Sequence, residues 1–138
     1  MAEHVLRFPS TKPGFERAIS DLRGALDDAG VHGRVRYNTE LVFEEVVSNV
    51  IRHARPNGVT YQVEVSLAYS RESIVLTFVD DGPPFDPLQQ SAPSAPAALE
   101  EARVGGWGLL LVRERSAALE YERTADGRNR LTVTIAPT

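Results

Sequence analysis

The chain has no cysteine among its 138 residues. That removes disulfide staples, thiol catalysis and thiolate metal sites, and it suits a reducing compartment such as the cytoplasm. Lysine is nearly missing too: Lys12 is the single lysine among 15 basic residues. It falls in the turn Pro9-Ser10-Thr11-Lys12-Pro13, a poor setting for a functional amine, and the arginine bias fits the codon usage of a GC-rich genome. No apolar run approaches the roughly 20 residues of a membrane span, and the N-terminus has no apolar signal core. The net charge is −4 and the pI about 5.4, so the basic footprint of a nucleic-acid binder is also missing. What is present is ordinary for a soluble globular domain: 42% hydrophobic and 25% charged residues, in a length that supports one core.

The pattern along the chain predicts a strand over Glu3–Phe8 and a turn in which Ser10 or Thr11 caps a helix. In that helix Phe15, Ile19, Leu22 and Leu26 recur at helical spacing, and Gly30 ends it. Val31–Tyr37 reads as a short connection. Asn38 or Thr39 then caps a second helix that Pro56-Asn57-Gly58 stops. Val59, Tyr61, Val63, Val65 and Leu67 alternate as one face of a half-buried strand. A tip around Tyr69–Glu72 returns the chain into Ser73–Val79, apolar enough to be a central strand. Leu88–Val104 is rich in Pro, Ala, Ser and Gln, a long loop of the kind that serves as a lid. Gly105-Gly106-Trp107-Gly108 opens a helix over Leu109–Ala118, and a hairpin over Leu119–Thr124 and Arg130–Ile135 closes the chain. The fold class is α+β, a two-layer sandwich with helices on one face of a mostly antiparallel sheet.

Three constellations stand out. In the second helix Leu41, Val42, Phe43, Val46, Val47, Val50 and Ile51 surround Glu45 and Asn49, which share one face at a spacing of one turn. Polar groups set among buried valines need a partner or a task. Asn49 offers a neutral oxygen to a hard cation such as Mg²⁺, and Glu45 can orient or deprotonate a nucleophile beside it. Taken alone, the pair is more simply read as ordinary hydrogen-bonding residues. Glu44 is the solvated neighbour, a partner for Arg52. Second, Asp80 ends an apolar strand, where its carboxylate can accept from an exocyclic amine, and Gly82 allows close backbone approach. Third, the glycines ahead of Leu109 leave helix N–H groups open to a phosphate. His53 has no second His or Cys at ligand spacing and reads as a packing or hydrogen-bonding residue, and Ser48 reads as a small packing residue rather than a nucleophile.

Singly weak, the three gain weight from their order. A Glu-x-x-x-Asn helix, a strand ending in Asp-x-Gly, a loop, then Gly-x-Gly-Leu at a helix start resembles the GHKL ATPase/kinase superfamily, with its Bergerat, histidine-kinase-like ATPase fold. Glu45 and Asn49 match its N box, Asp80 and Gly82 its G1 box, Gly106 and Gly108 its G2 box. The wording Glu-Glu-Val-Val-Ser-Asn-Val-Ile-Arg-His-Ala, Asp-Gly-Pro-Pro-Phe-Asp-Pro and Gly-Gly-Trp-Gly-Leu-Leu-Leu-Val-Arg is similar to the RsbW-like anti-sigma-factor serine kinases. That resemblance implies one ATP-binding kinase domain over residues 1–138, with a lid over about 85–105. It implies ATP and Mg²⁺ as cofactors. The catalytic base would be Glu45, and the Mg²⁺ ligand Asn49. Asp80 would bind adenine, with nucleotide contacts also from Gly82, Gly106, Gly108 and Leu109. The partners implied are a STAS-domain anti-anti-sigma protein, phosphorylated on serine, and a sigma factor that is sequestered. A cytoplasmic homodimer is expected, without direct contact to nucleic acid or membrane.

One position departs from the family's Asp-x-Gly-x-Gly: its last glycine is Pro84, with fixed φ and no N–H. The lid region also lacks lysine, leaving Arg103 or Arg113 as cations for a terminal phosphate. Three rivals share parts of the pattern. A histidine-kinase catalytic domain usually has Asn where Glu45 stands. A nucleotide-binding regulatory module without kinase activity uses overlapping residues. A chaperone-type ATPase needs further domains.

Overall fold

A computed structural model describes residues 2–54, 58–70, 73–87 and 106–136. Five strands form one antiparallel sheet in the order β1-β2-β3-β5-β4. These are β1 (Ala2–Pro9), β2 (Gln62–Tyr69), β3 (Ile74–Asp80), β4 (Ala118–Arg123) and β5 (Asn129–Ile135). Three helices accompany them: α1 (Lys12–Asp28), α2 (Gly33–Ala54) and α3 (Gly106–Arg115). Period-2 alternation puts Val63, Val65, Leu67, Ile74, Leu76, Phe78, Leu131, Val133 and Ile135 on one buried face. There they meet Leu22 and Leu26 of α1 and Val42, Phe43, Val46 and Val47 of α2. Phe43 is the centre of this core, fully buried and 6.1–6.2 Å from the rings of Phe8, Phe15 and Phe78. The apolar run read as a central strand is indeed the middle strand, β3.

Local chemistry explains the ends of α1. Thr11 takes an extended conformation and its Oγ1 accepts from Gly14 N at 3.1 Å, while a proline occupies the first turn. Lys12 is thus the first helical residue rather than part of a turn. Gly30, at φ +71°, supplies the left-handed exit, and Val31 N closes back onto Leu26 O at 2.9 Å.

The second helix is longer than its sequence suggested. It begins at Gly33, so Asn38 and Thr39 lie inside it and are not caps. Ion pairs across the helices carry the chain through this region. Arg36 Nε donates to Glu40 Oε2 at 2.8 Å one turn on and its Nη1 to Asp27 of α1, while Arg23 Nε reaches Glu40 Oε1 at 2.8 Å. Thr39 Oγ1 turns back onto Val35 O at 2.7 Å, as a mid-helix threonine does. Asn38 Oδ1 is buried with no partner among the described residues.

The second strand starts later than expected. Val59 is 49% exposed, and Tyr61, just ahead of β2, is held by exchange with Ser10: Ser10 N donates to Tyr61 O at 2.9 Å and Tyr61 N to Ser10 Oγ at 2.7 Å. The third helix starts earlier, at Gly106, so Gly106 and Gly108 are in its first turn, and Ala118 belongs to β4. Residues 88–105, most of the expected lid, lie outside the described residues, as does Pro56-Asn57.

Candidate functional site

The sheet register brings the end of β3 and the start of β5 together, Asp80 opposite Asn129. Helix α2 crosses above them. Two adjoining recesses form there. One is lined by Val46, Asn49, Val50, Phe78, Asp80 and Phe85 among others; the second adds His53, Tyr61, Gly82, Pro83 and Pro84. Mostly apolar walls with a few polar groups are the lining chemistry of a small-ligand site.

Each polar group has a definite place. Asn49 is buried, 5% exposed, and its Oδ1 accepts from Arg52 Nη2 one turn along. Glu44 is exposed, as expected of the solvated neighbour. Asp80 Oδ1 accepts from Gly82 N at 2.9 Å and from Asn129 Nδ2 at 3.0 Å. Gly82 is a glycine for reasons of space: a Cβ there would meet Tyr61 Cε2 at 2.8 Å and Asp80 Oδ1 at 3.0 Å. The ring of His53 lies 4.1 Å from that of Phe85, which closes one wall. Burial and then the Arg52 charge lower the His53 pKa from its ordinary value, partly offset by Asp80.

Glu45 lies one turn before Asn49, half-buried, and outside the lining of both recesses. Burial, then the neighbouring Glu44 charge, raises its carboxyl pKa; the Arg52 charge works the other way. A carboxylate made more basic by its surroundings is suited to accepting a proton. Gly106, Gly108 and Leu109 occupy the N-terminal turn of α3, which packs along α2. The free N–H groups and dipole of that turn favour an anion. Arg113 is at the other end of α3, about 10 Å along the axis, and its Nη2 donates to Pro87 O at 3.3 Å. Arg103 lies outside the described residues. The structure therefore places Asn49 at the first recess and Gly82 at the second, with Asp80 lining both and Glu45 a turn away from Asn49.

The residues fit a particular kind of metal binding. Among the described residues no group of three His, Asp or Glu side chains could cage a cation. Mg²⁺ does not need one, since it commonly binds through one or two protein oxygens plus phosphates and water. Asn49 is buried beside an open recess, and its Oδ1, which accepts from Arg52 Nη2, would have to be released by that guanidinium to bind Mg²⁺ in that mode.

Asn129 was missed by sequence reading. Asn in Asp126-Gly127-Arg128-Asn129 reads as turn chemistry. It is instead the first residue of β5, 7% exposed and lining both recesses.

The α+β sandwich carries Asp80 at the end of its central strand and the buried Asn49 amide on the covering helix. The chain belongs to the histidine kinase-like ATPase domain family, whose model matches residues 8–135. It is 35% identical over 101 residues to the serine/threonine-protein kinase BtrW of Bordetella bronchiseptica, covering 73% of this chain and 70% of that protein. That likeness groups it with the RsbW-like protein serine/threonine kinases of the GHKL superfamily. The fold also matches a chain from the crystal structure of the SiaB–SiaC complex of Pseudomonas aeruginosa. The TM-score is 0.70 at 19% identity, covering 96% of this chain and 88% of that one. Among the described residues no helix is long and apolar enough to cross a membrane.

Proposed function

We propose that this chain binds Mg²⁺–ATP in the recess between α2, β3 and β5 and transfers the γ-phosphoryl group to a serine of a small STAS-domain anti-anti-sigma protein. In the same reading it sequesters a sigma factor in the cytoplasm as a homodimer, and the antagonist protein releases that factor. The observation that carries the reading is the convergence of Asn49 and Asp80, remote in sequence, on one apolar recess roofed by the helix that bears Glu45.

Asp80 accepts a hydrogen bond from the purine amine. The apolar walls, Val46, Val50, Phe78 and Phe85, hold the base and exclude water. Asn49 offers its oxygen to the metal, which when bound neutralises charge on the phosphates. The N-terminal turn of α3, with Gly106, Gly108 and Leu109, lies against the phosphate chain. Glu45 accepts the serine proton as the Ser Oγ–P bond forms and the bond from the γ-phosphorus to the β,γ-bridging oxygen breaks, with ADP leaving. Such transfers rely mainly on positioning and charge stabilisation, so few residues suffice.

The test is incubation with γ-labelled ATP, Mg²⁺ and STAS-domain proteins from the same genome. Label on a serine of one of them, lost in Glu45→Ala, supports the reading. Tight nucleotide binding with no label moved to any partner would make the chain a regulatory binding module instead.

A further inference from the structure

Asn129 makes more hydrogen bonds than any mechanistic role assigned above requires. Its Nδ2 donates to Asp80 Oδ1 at 3.0 Å and Pro83 O at 2.9 Å, with Gly82 O at 3.5 Å. Its Oδ1 accepts from Phe85 N at 3.2 Å, Tyr121 Oη at 2.5 Å and Arg123 Nη1 at 3.3 Å. The three atoms around the nitrogen are all acceptors, and the three around the oxygen are all donors. The amide therefore has one orientation; turned over, it would set oxygen against three oxygens. Neither a carboxylate nor an aliphatic side chain could satisfy both sides.

We propose that Asn129 is a positioning residue that fixes nucleobase specificity by holding Asp80 in one rotamer. The proposal rests on the reading of the recess as a purine site. Gly82 N and Asn129 Nδ2 both take Asp80 Oδ1, so among the described residues Oδ2 is the acceptor left for a ligand. A fixed acceptor matches the 6-amino group of adenine and opposes the 6-oxo group of guanine. An Asp80 free to rotate would also meet the N1–H and 2-amino donors of guanine, and the distinction would fade. The same amide ties Pro83 and Phe85 to β5, so the loop that walls the recess is set by the residue that sets the carboxylate. Arg123, an exposed residue of β4, supports this from outside: its Nη1 also donates to Gly82 O at 2.8 Å.

The experiment is calorimetric titration of ATP and of GTP, each with Mg²⁺, into the parent, Asn129→Ala and Arg123→Met, with circular-dichroism melts to establish folding. ATP affinity in Asn129→Ala should fall about tenfold, the scale of one charge-assisted hydrogen bond, with GTP affinity nearly unchanged. A purely structural role would lower both affinities together and leave their ratio unchanged, which overturns the proposal. Arg123→Met should lose about threefold in the ATP-to-GTP ratio, the smaller effect of removing one neighbour of the amide. Should Asn129→Ala not fold, an unchanged ratio in Arg123→Met overturns the proposal on its own. A parent that binds ATP and GTP equally refutes the purine reading of Asp80 itself. A parent preference kept intact by folded Asn129→Ala refutes only the role of Asn129.

Discussion

Gly82→Ala should weaken both the fold and its nucleotide recess, for steric reasons that can be worked from distances. The added methyl would sit 2.8 Å from Tyr61 Cε2 and 3.0 Å from Asp80 Oδ1. Carbon atoms in contact settle at about 3.5–4.0 Å, so something must move by roughly an ångström. Tyr61 is 7% exposed and its backbone is pinned to Ser10 from both sides, so its ring has little room to retreat. The carboxylate of Asp80 or the loop beyond it must give way. Overpacking of this kind costs about 1–3 kcal/mol. For a chain of this length, a typical unfolding entropy of about 2.1 cal/mol/K per residue makes each kcal/mol about 3 °C, so Tm should fall by about 3–10 °C. On the proposed reading of Asp80 as the adenine acceptor, its displacement would also remove a charge-assisted hydrogen bond to the base, about 1.5–3 kcal/mol, or roughly ten- to a hundredfold in ATP affinity. The assay is a thermal melt paired with titration of ATP. Gly24→Ala is the control: nothing lies within 4 Å of its added methyl, it is exposed in mid-helix, and it should raise stability by about 0.5–1 kcal/mol. Parent-like melting and affinity in Gly82→Ala would refute the reasoning.

Phe43→Ala should lose about 3–5 kcal/mol in denaturant unfolding, because it empties the point where four phenylalanine rings meet; a loss under about 1 kcal/mol would mean the core collapses around the gap. Thr11→Ala should cost about 0.5–2 kcal/mol by leaving Gly14 N without its cap, with Thr11→Ser recovering most of it. Glu45→Gln should raise Tm at neutral pH. The folded state holds the Glu45 proton more tightly than the unfolded chain, so the charged form is a burden above the folded pKa. That burden is gone once the pH falls below the ordinary carboxyl value of 4.5, so pH-resolved calorimetry should show the gain vanish there. An equal gain at every pH would refute it.

The sheet was legible because alternation is a local signal: Val63, Val65 and Leu67 announce β2, and the unbroken apolar run of β3 announces its central place. The beginning of α2 was not. Asn38 and Thr39 look like caps, whereas Arg36, Asp27, Glu40 and Arg23 form pairs between two helices that no local window contains. Val59 continues the alternation by one step too many, since burial ends where Ser10 grips Tyr61. At the candidate site Asn49, Asp80 and Gly82 were readable as motifs and the fold gathers them. Asn129 was hidden because asparagine near Asp-Gly signals a turn, and its value comes wholly from standing across the sheet from Asp80.

That cross-sheet pairing bears on how the chain assembles. The β2–β3 and β4–β5 hairpins each join residues five or six apart at their tips, Tyr69 to Ile74 and Arg123 to Asn129. The seam between them, β3 against β5, joins residues about fifty apart at its nearest pair, Asp80 and Asn129. A tenfold longer loop costs about 2 kcal/mol more to close, so the hairpins can form early while the seam waits. Asp80 and Asn129 belong to different hairpins, and a half-folded chain holds each without the other. The recess is therefore born when the two hairpins dock rather than accumulated along the way. In rapid-mixing refolding, the capacity to bind a fluorescent ATP analogue should arrive after the earliest strand signal; binding that rises together with that signal would contradict this order.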